Sequence, residues 1–158
     1  MGTGFEIGRT FHVGVRVVSL DAAMDEMGDS LGLTWSEPQA REQQVWTPAT
    51  GLIKTPLRFT YSREGPLHVE LLQGEPGTVW DATQAPGIHH IGTWVDDVSA
   101  ETNRLIAAGW SLVGAQNTAE NGYGAFTYLA PPTGLIVELV TSFVEPMFAR
   151  WWAGGPLG

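Results

Sequence analysis

Phe11-His12-Val13-Gly14-Val15-Arg16-Val17-Val18 is echoed later in the chain by His89-His90-Ile91-Gly92-Thr93-Trp94-Val95-Asp96. Each segment holds His-x-Gly and an apolar run. A second pair repeats in the same order: His68-Val69-Glu70-Leu71-Leu72 and Ile136-Val137-Glu138-Leu139-Val140. His90 lies 78 positions after His12, and Glu138 lies 68 after Glu70, so two halves share one plan and one of them carries an insertion. Each half contributes one imidazole and one carboxylate.

Outward from these phrases, the periodicities set the elements. Over residues 10–18, Val13, Val15 and Val17 face one side while His12, Gly14, Arg16 and Val18 face the other, the period of a strand. Ser19 then reads as a helix N-cap, Leu20, Ala23, Met24, Met27 and Leu31 recur at helical spacing, and Gly32 ends the run. The second half repeats the order, with a strand at 90–95, Asp96-Asp97, a helix carrying Val98, Leu105 and Ile106, and Gly109 as its stop. Three more strands are expected after each helix, at 44–47, 57–61 and 67–72, then at 111–113, 124–129 and 135–140. Breakers such as Glu64-Gly65-Pro66 and Pro131-Pro132-Thr133-Gly134 separate them. The fold class is therefore α+β, with two tandem βαβββ modules at 1–72 and 88–143 joined by a Gly/Pro-rich linker at 73–87. The tail, 144–158, opens with a short amphipathic helix at 144–152 whose Phe148, Trp151 and Trp152 are expected to pack on the other module or on a partner chain.

Strand parity carries the reading toward a site. If Val13, Val15, Ile91 and Val95 pack under the helices, His12 and His90 point to the opposite, concave face. Val69, Leu71, Val137 and Leu139 likewise leave Glu70 and Glu138 on that face, so all four polar residues can line one cavity. Mid-strand glutamates are costly to bury without compensation, and a cation supplies it. Nitrogen and oxygen donors without sulfur suit Ni, Co, Zn, Mn or Fe as the divalent ion. Arg16, Trp94 and His68 share the concave parity and are the expected substrate contacts, for a small molecule with an apolar body and a carbonyl or anionic group. His89 is expected to point the other way from His90, into structure.

Composition excludes several classes. The 158 residues include no cysteine, which removes disulfides, thiolate ligands and cysteine nucleophiles. A net charge of −9 opposes nucleic-acid binding, which needs a basic surface. No apolar run reaches the roughly 18 residues of a membrane span. The N-terminus lacks the basic and apolar regions of a signal peptide, so a cytoplasmic location is expected. Phosphate-binding loops, HExxH and Gly-x-Ser-x-Gly are absent from the sequence.

The phrases Phe11-His12-Val13-Gly14-Val15, Gly87-Ile88-His89-His90-Ile91-Gly92 with Val95-Asp96-Asp97-Val98, and Pro132-Thr133-Gly134-Leu135-Ile136-Val137-Glu138-Leu139 resemble the vicinal oxygen chelate superfamily. That superfamily includes glyoxalase I, methylmalonyl-CoA epimerase, extradiol dioxygenases and bleomycin-resistance proteins. The resemblance implies a cup-shaped mixed sheet holding a divalent metal on His12, Glu70, His90 and Glu138. It further implies a metal-dependent isomerase or lyase that moves a proton through an enolate, with Glu138 and Glu70 as the catalytic carboxylates. The ligand set resembles that of bacterial glyoxalase I, whereas epimerases of the family usually carry Gln at the position of Glu70. In the first module's middle strands only Glu37 and Glu42 could supply a further acid. Two other readings accompany this one: an extradiol-type dioxygenase using His12, His90 and one Glu, and a non-catalytic drug- or metabolite-binding protein. A homodimer is implied too, with each cup built from modules of one chain or swapped between chains.

Overall fold

A computed structural model of the chain describes residues 4–158. The first module comprises β1 (Thr10–Arg16), α1 (Leu20–Leu31), β2 (Gln39–Thr47), β3 (Gly51–Tyr61) and β4 (His68–Gly74). The second comprises β5 (Gly87–Val95), α2 (Val98–Ala107), β6 (Ser111–Ala115), β7 (Phe126–Ala130) and β8 (Val137–Thr141), followed by α3 (Glu145–Trp152). Both modules run βαβββ.

The expected caps are in place. Ser19 Oγ accepts the Ala22 N–H at 3.2 Å, and Gly32 closes α1 in the left-handed region at φ 68°. Asp97 does the same for α2, accepting the Ala100 N–H at 2.9 Å. Leu20 and Ala23 of α1 bury against Leu71, with Val15 and Val69 beside them. Val98 and Leu105 of α2 pack on Val95, Val137 and Leu139. The helices therefore cover the outer face of the sheet, and the opposite face is free to form the cup.

The eight strands close into one mixed sheet in the order β1-β4-β3-β2-β6-β7-β8-β5. β1 runs parallel to β4 and antiparallel to β5, and β5 runs parallel to β8. The two modules thus meet along the β1–β5 seam. On the far side the closure is thin, with Trp46 of β2 registered on Ala115 of β6. The β2–β3 hairpin is longer than the apolar pattern indicates, pairing Gln39 with Phe59 through Thr47 with Gly51. Its extra residues are polar, and main-chain bonds extend the pairing regardless of what the side chains bury.

The helix α3 lies across the mouth of the cup. Trp151 is fully buried and donates its indole N–H to the Glu37 carbonyl at 3.1 Å. Trp152 stacks on His68 with centroids 3.7 Å apart, and Phe148 meets Phe11 and Tyr61 edge-on. The tail's aromatics accordingly pack on the first module of their own chain. No helix among the described residues is long and apolar enough to cross a membrane.

Candidate metal centre and its cavity

The β1–β5 seam creates the centre. Its register sets His12 opposite Gly92 and His90 opposite Gly14. Each glycine makes room for the histidine of the other module: a Cβ on Gly92 would lie 1.8 Å from His12 Cε1, and one on Gly14 would lie 2.1 Å from His90 Cε1. The His-x-Gly phrase is thus a reciprocal device, a ring from one strand filling the gap in its neighbour. The parallel partners β4 and β8 bring the carboxylates alongside, with Glu70 registered on Gly14 and Glu138 on Gly92.

All four side chains are buried, and one donor atom from each falls within 4.8 Å of the others. His12 Nε2 and His90 Nε2 are 3.0 Å apart. Glu70 Oε1 lies 3.2 Å from His90 Nε2 and 3.4 Å from His12 Nε2, and the Glu138 oxygens lie 3.6 Å from the same two atoms. Glu70 Oε1 is buried without a sound hydrogen bond. Donors bonded at about 2.1 Å to one ion and at right angles to each other sit about 3 Å apart, so these separations fit a shared cation. Two imidazoles and two carboxylates make a borderline donor set that suits Ni, Co, Zn, Mn or Fe. A single chain supplies the whole set.

The two carboxylates are electrostatically unlike. Burial opposes ionisation of Glu70, but the His12 and His90 rings outweigh it and hold the carboxyl below its usual range. Burial dominates at Glu138, where the pull of His90 is weaker and the charge of Glu70 adds to the rise, pushing it up to about 7. One glutamate is a fixed anion; the other is poised to exchange a proton near neutrality.

His89 corrects its expected orientation. The β1–β5 register shifts between Gly14/His90 and Val15/Ile88, leaving His89 as an extra residue in the seam. A bulge of this kind breaks strict alternation, so consecutive side chains can turn to one side. His89 is buried against His90, with the two Nδ1 atoms 2.9 Å apart and one necessarily donating to the other. Burial, then the His90 ring, depresses its pKa to about 3. His89 therefore braces the back of His90 and leaves His90 Nε2 free to face the centre.

Above the four residues opens a cavity of about 210 Å³. Its walls are largely apolar, including Leu57, Phe59, Leu72, Trp80 and Phe126, and α3 contributes Met147 and Phe148. Two tyrosines line it as well. Tyr61 is registered on Glu70 and Tyr128 on Glu138, so each module presents the same His, Glu and Tyr trio. Burial, reinforced by the neighbouring glutamates, raises both phenol pKa values well above the usual range, so the hydroxyls keep their protons. Trp80 donates its indole N–H to the Tyr128 hydroxyl at 3.0 Å.

Residues 11–128 match the glyoxalase/bleomycin resistance protein/dioxygenase superfamily. The chain belongs to that superfamily. No curated protein matches the sequence. Among solved structures, the methylmalonyl-CoA epimerase of Mycobacterium tuberculosis is similar, with a TM-score of 0.57 and 18% identity over 89% of this chain and 95% of its own. A variant of the Streptomyces coelicolor methylmalonyl-CoA epimerase in complex with 2-nitronate-propionyl-CoA gives 0.58 and 21% over 85% and 96%. A hypothetical protein from Bacillus halodurans C-125 gives 0.57 and 19% over 84% and 93%. At these identities the likeness is one of fold.

Within the superfamily's cup, the remaining sequence candidates lie around the cavity lining. Arg16 has the concave parity, but the segment after β4 folds across that end, and Arg16 Nη1 donates to the Val79 carbonyl at 3.1 Å. His68 donates Nδ1–H to the Ser62 carbonyl at 2.7 Å and carries Trp152 on its face. Trp94 stacks on Phe11 at 3.7 Å, one layer behind the lining, where Phe148 covers it. Glu37 and Glu42 are both exposed. The positions facing the cavity from β2 are instead Arg41 and Gln43. Sequence reading passed over Trp80, which sits in the Gly/Pro-rich segment, and over Tyr61 and Tyr128. A signal existed for the tyrosines, since both precede a glutamate of the repeat by nearly the same interval.

Proposed function

We propose that this protein is a divalent-metal-dependent isomerase or lyase that moves a proton at the carbon next to a carbonyl group. The observation that carries this reading is the convergence of His12, Glu70, His90 and Glu138, two from each module, at the buried base of an apolar cavity. These residues would hold the ion. Bound there, it would supply Lewis acidity, lowering the pKa of the adjacent C–H.

The chain's own groups divide the remaining work. Glu138, the carboxyl that burial leaves as the weaker acid of the pair, is the candidate base that takes a proton from carbon and returns it. Glu70 stays ionised as a fixed carboxylate. Tyr61 and Tyr128 keep their protons and donate hydrogen bonds to Glu70 and Glu138, orienting the two carboxylates. The α3 residues Met147 and Phe148 wall off solvent from that end of the cavity.

Elemental analysis after reconstitution with Ni²⁺, Co²⁺, Zn²⁺, Mn²⁺ and Fe²⁺ tests the centre. Proton NMR in D₂O tests the chemistry, through loss of the α-proton signal of the glutathione hemithioacetals of 2-oxoaldehydes and of methylmalonyl-CoA. The reading expects near-stoichiometric metal, abolished in His12→Ala and Glu138→Ala, and exchange of an α-proton that Glu138→Gln stops. Failure of the protein to bind any of these ions would sink it, and oxygen uptake with a catechol on Fe²⁺ would replace it with the dioxygenase reading.

A further inference from the structure

The chain has eight Lys and Arg residues, and Arg41 is the one that lines the cavity. Of the other arginines, five are engaged: Arg9 with Asp96, Arg58 with Asp21, Arg104 with Glu101, Arg16 with Val79, and Arg63 with the Trp152 carbonyl; Arg150 on α3 is exposed and does not line the cavity. Arg41 has no carboxylate or hydrogen-bond partner among the described residues. Its guanidinium lies over the Phe59 ring, with Cζ 4.7 Å from the centroid. A guanidinium held through a cation–π contact keeps its N–H edges available, in the fork geometry that matches a carboxylate. Partial burial depresses its pKa, as expected for a cation whose water has been partly replaced by cavity wall.

Charge balance points the same way. Glu70 and Glu138 would compensate a divalent ion, which would leave Arg41 as the one cationic side chain of the cavity lining without a counter-charge. The cavity, about 210 Å³, is below the roughly 300–1,000 Å³ of sites for drug-sized ligands. It has room for a compact molecule, with any longer carrier left outside.

We propose that Arg41 is the anion anchor of this cavity and that the substrate is a compact carbonyl compound with an apolar body and one free carboxylate. This rests on the proton-transfer reading above and names its substrate class. Gln43, two residues on along β2, is buried to 9% exposure and lines the same cavity as the anchor and the two carboxylates.

The test uses phenylglyoxylate and its neutral analogue phenylglyoxylamide, titrated into Co²⁺-loaded and metal-free protein by calorimetry, with intrinsic tryptophan fluorescence as a second readout. Wild type is expected to bind the acid at least tenfold more tightly than the amide. Arg41→Gln should erase that preference while leaving amide affinity unchanged, and Arg41→Lys should keep part of it. Arg41 sits at the exposed rim, so these variants should retain the wild-type Tm and Co²⁺ affinity. Equal binding of acid and amide by wild type would overturn the assignment, as would a preference that survives in Arg41→Gln or failure of both compounds to bind at millimolar concentration. Cobalt bound without a preference sinks the anchor alone. An Arg41-dependent preference in protein that binds no metal sinks the proton-transfer reading and keeps the anchor.

Discussion

His12 occupies the space that any side chain at residue 92 would need, and His90 occupies the space above residue 14. The glycines are there for clearance, since neither has a backbone φ in the left-handed region. Gly92→Ala should push the His12 ring out of line with Glu70 and Glu138. Overpacking of this kind costs about 1–3 kcal/mol, and the larger effect should fall on the chelate. We expect Co²⁺ affinity to drop at least tenfold in Gly92→Ala and in Gly14→Ala. A titration showing wild-type affinity in both would mean that the seam relaxes without moving the rings.

Proton displacement should set the pH dependence of metal binding. With its carboxyl pushed up to about 7, Glu138 carries a proton in the metal-free protein at lower pH, and a cation must expel it. Above 7 the carboxylate is already free. Apparent affinity should therefore fall about tenfold per pH unit below 7 from this group and level off above it. Calorimetry at about pH 6 in buffers of different ionisation enthalpy should count close to one proton released from Glu138, and its disappearance in Glu138→Gln would identify the source.

His89 should matter to the metal without touching it. Its 2.9 Å contact with His90 Nδ1 fixes which His90 nitrogen faces the centre. Partners of this kind typically contribute about 10–100-fold in metal affinity. His89→Leu should lose that factor and broaden the visible spectrum of bound Co²⁺, whereas His89→Gln, which can still hydrogen-bond, should recover part of it. Identical spectra and affinities in wild type and His89→Leu would assign His89 to packing alone.

Two of these contacts show where the sequence was readable and where it was not. The repeat fixed the seam: two His-x-Gly phrases and two Val-Glu-Leu phrases, read by parity, are enough to place four side chains on one concave face. Parity fails at His89, because a bulge adds one residue to one strand and the local residue types do not mark it. The same limit hid the length of the β2–β3 hairpin, where a polar run from Arg41 to Gln44 gives no apolar alternation. Arg41 went unnoticed for that reason. Arg16 was legible as a concave residue, yet its partner, the Val79 carbonyl, arrives from a segment without periodicity. Trp80 comes from that segment too.

The α3 helix should separate stability from chelation. Trp151 is fully buried against Phe59 and Tyr61, so Trp151→Ala should cost about 3–5 kcal/mol. A urea titration should show this as a lower midpoint, while the protein that remains folded still binds Co²⁺ with wild-type stoichiometry. Loss of metal from folded Trp151→Ala would tie α3 to the centre itself.

The roof of the cavity thus comes from a helix that bears none of the four candidate ligands, supplying Met147 and Phe148 from outside the two repeats. Changes confined to this short terminal segment would reshape what the cup admits and leave the two half-sites beneath it untouched. The lining that a ligand would meet and the four side chains that would hold an ion thus lie partly on separate pieces of chain.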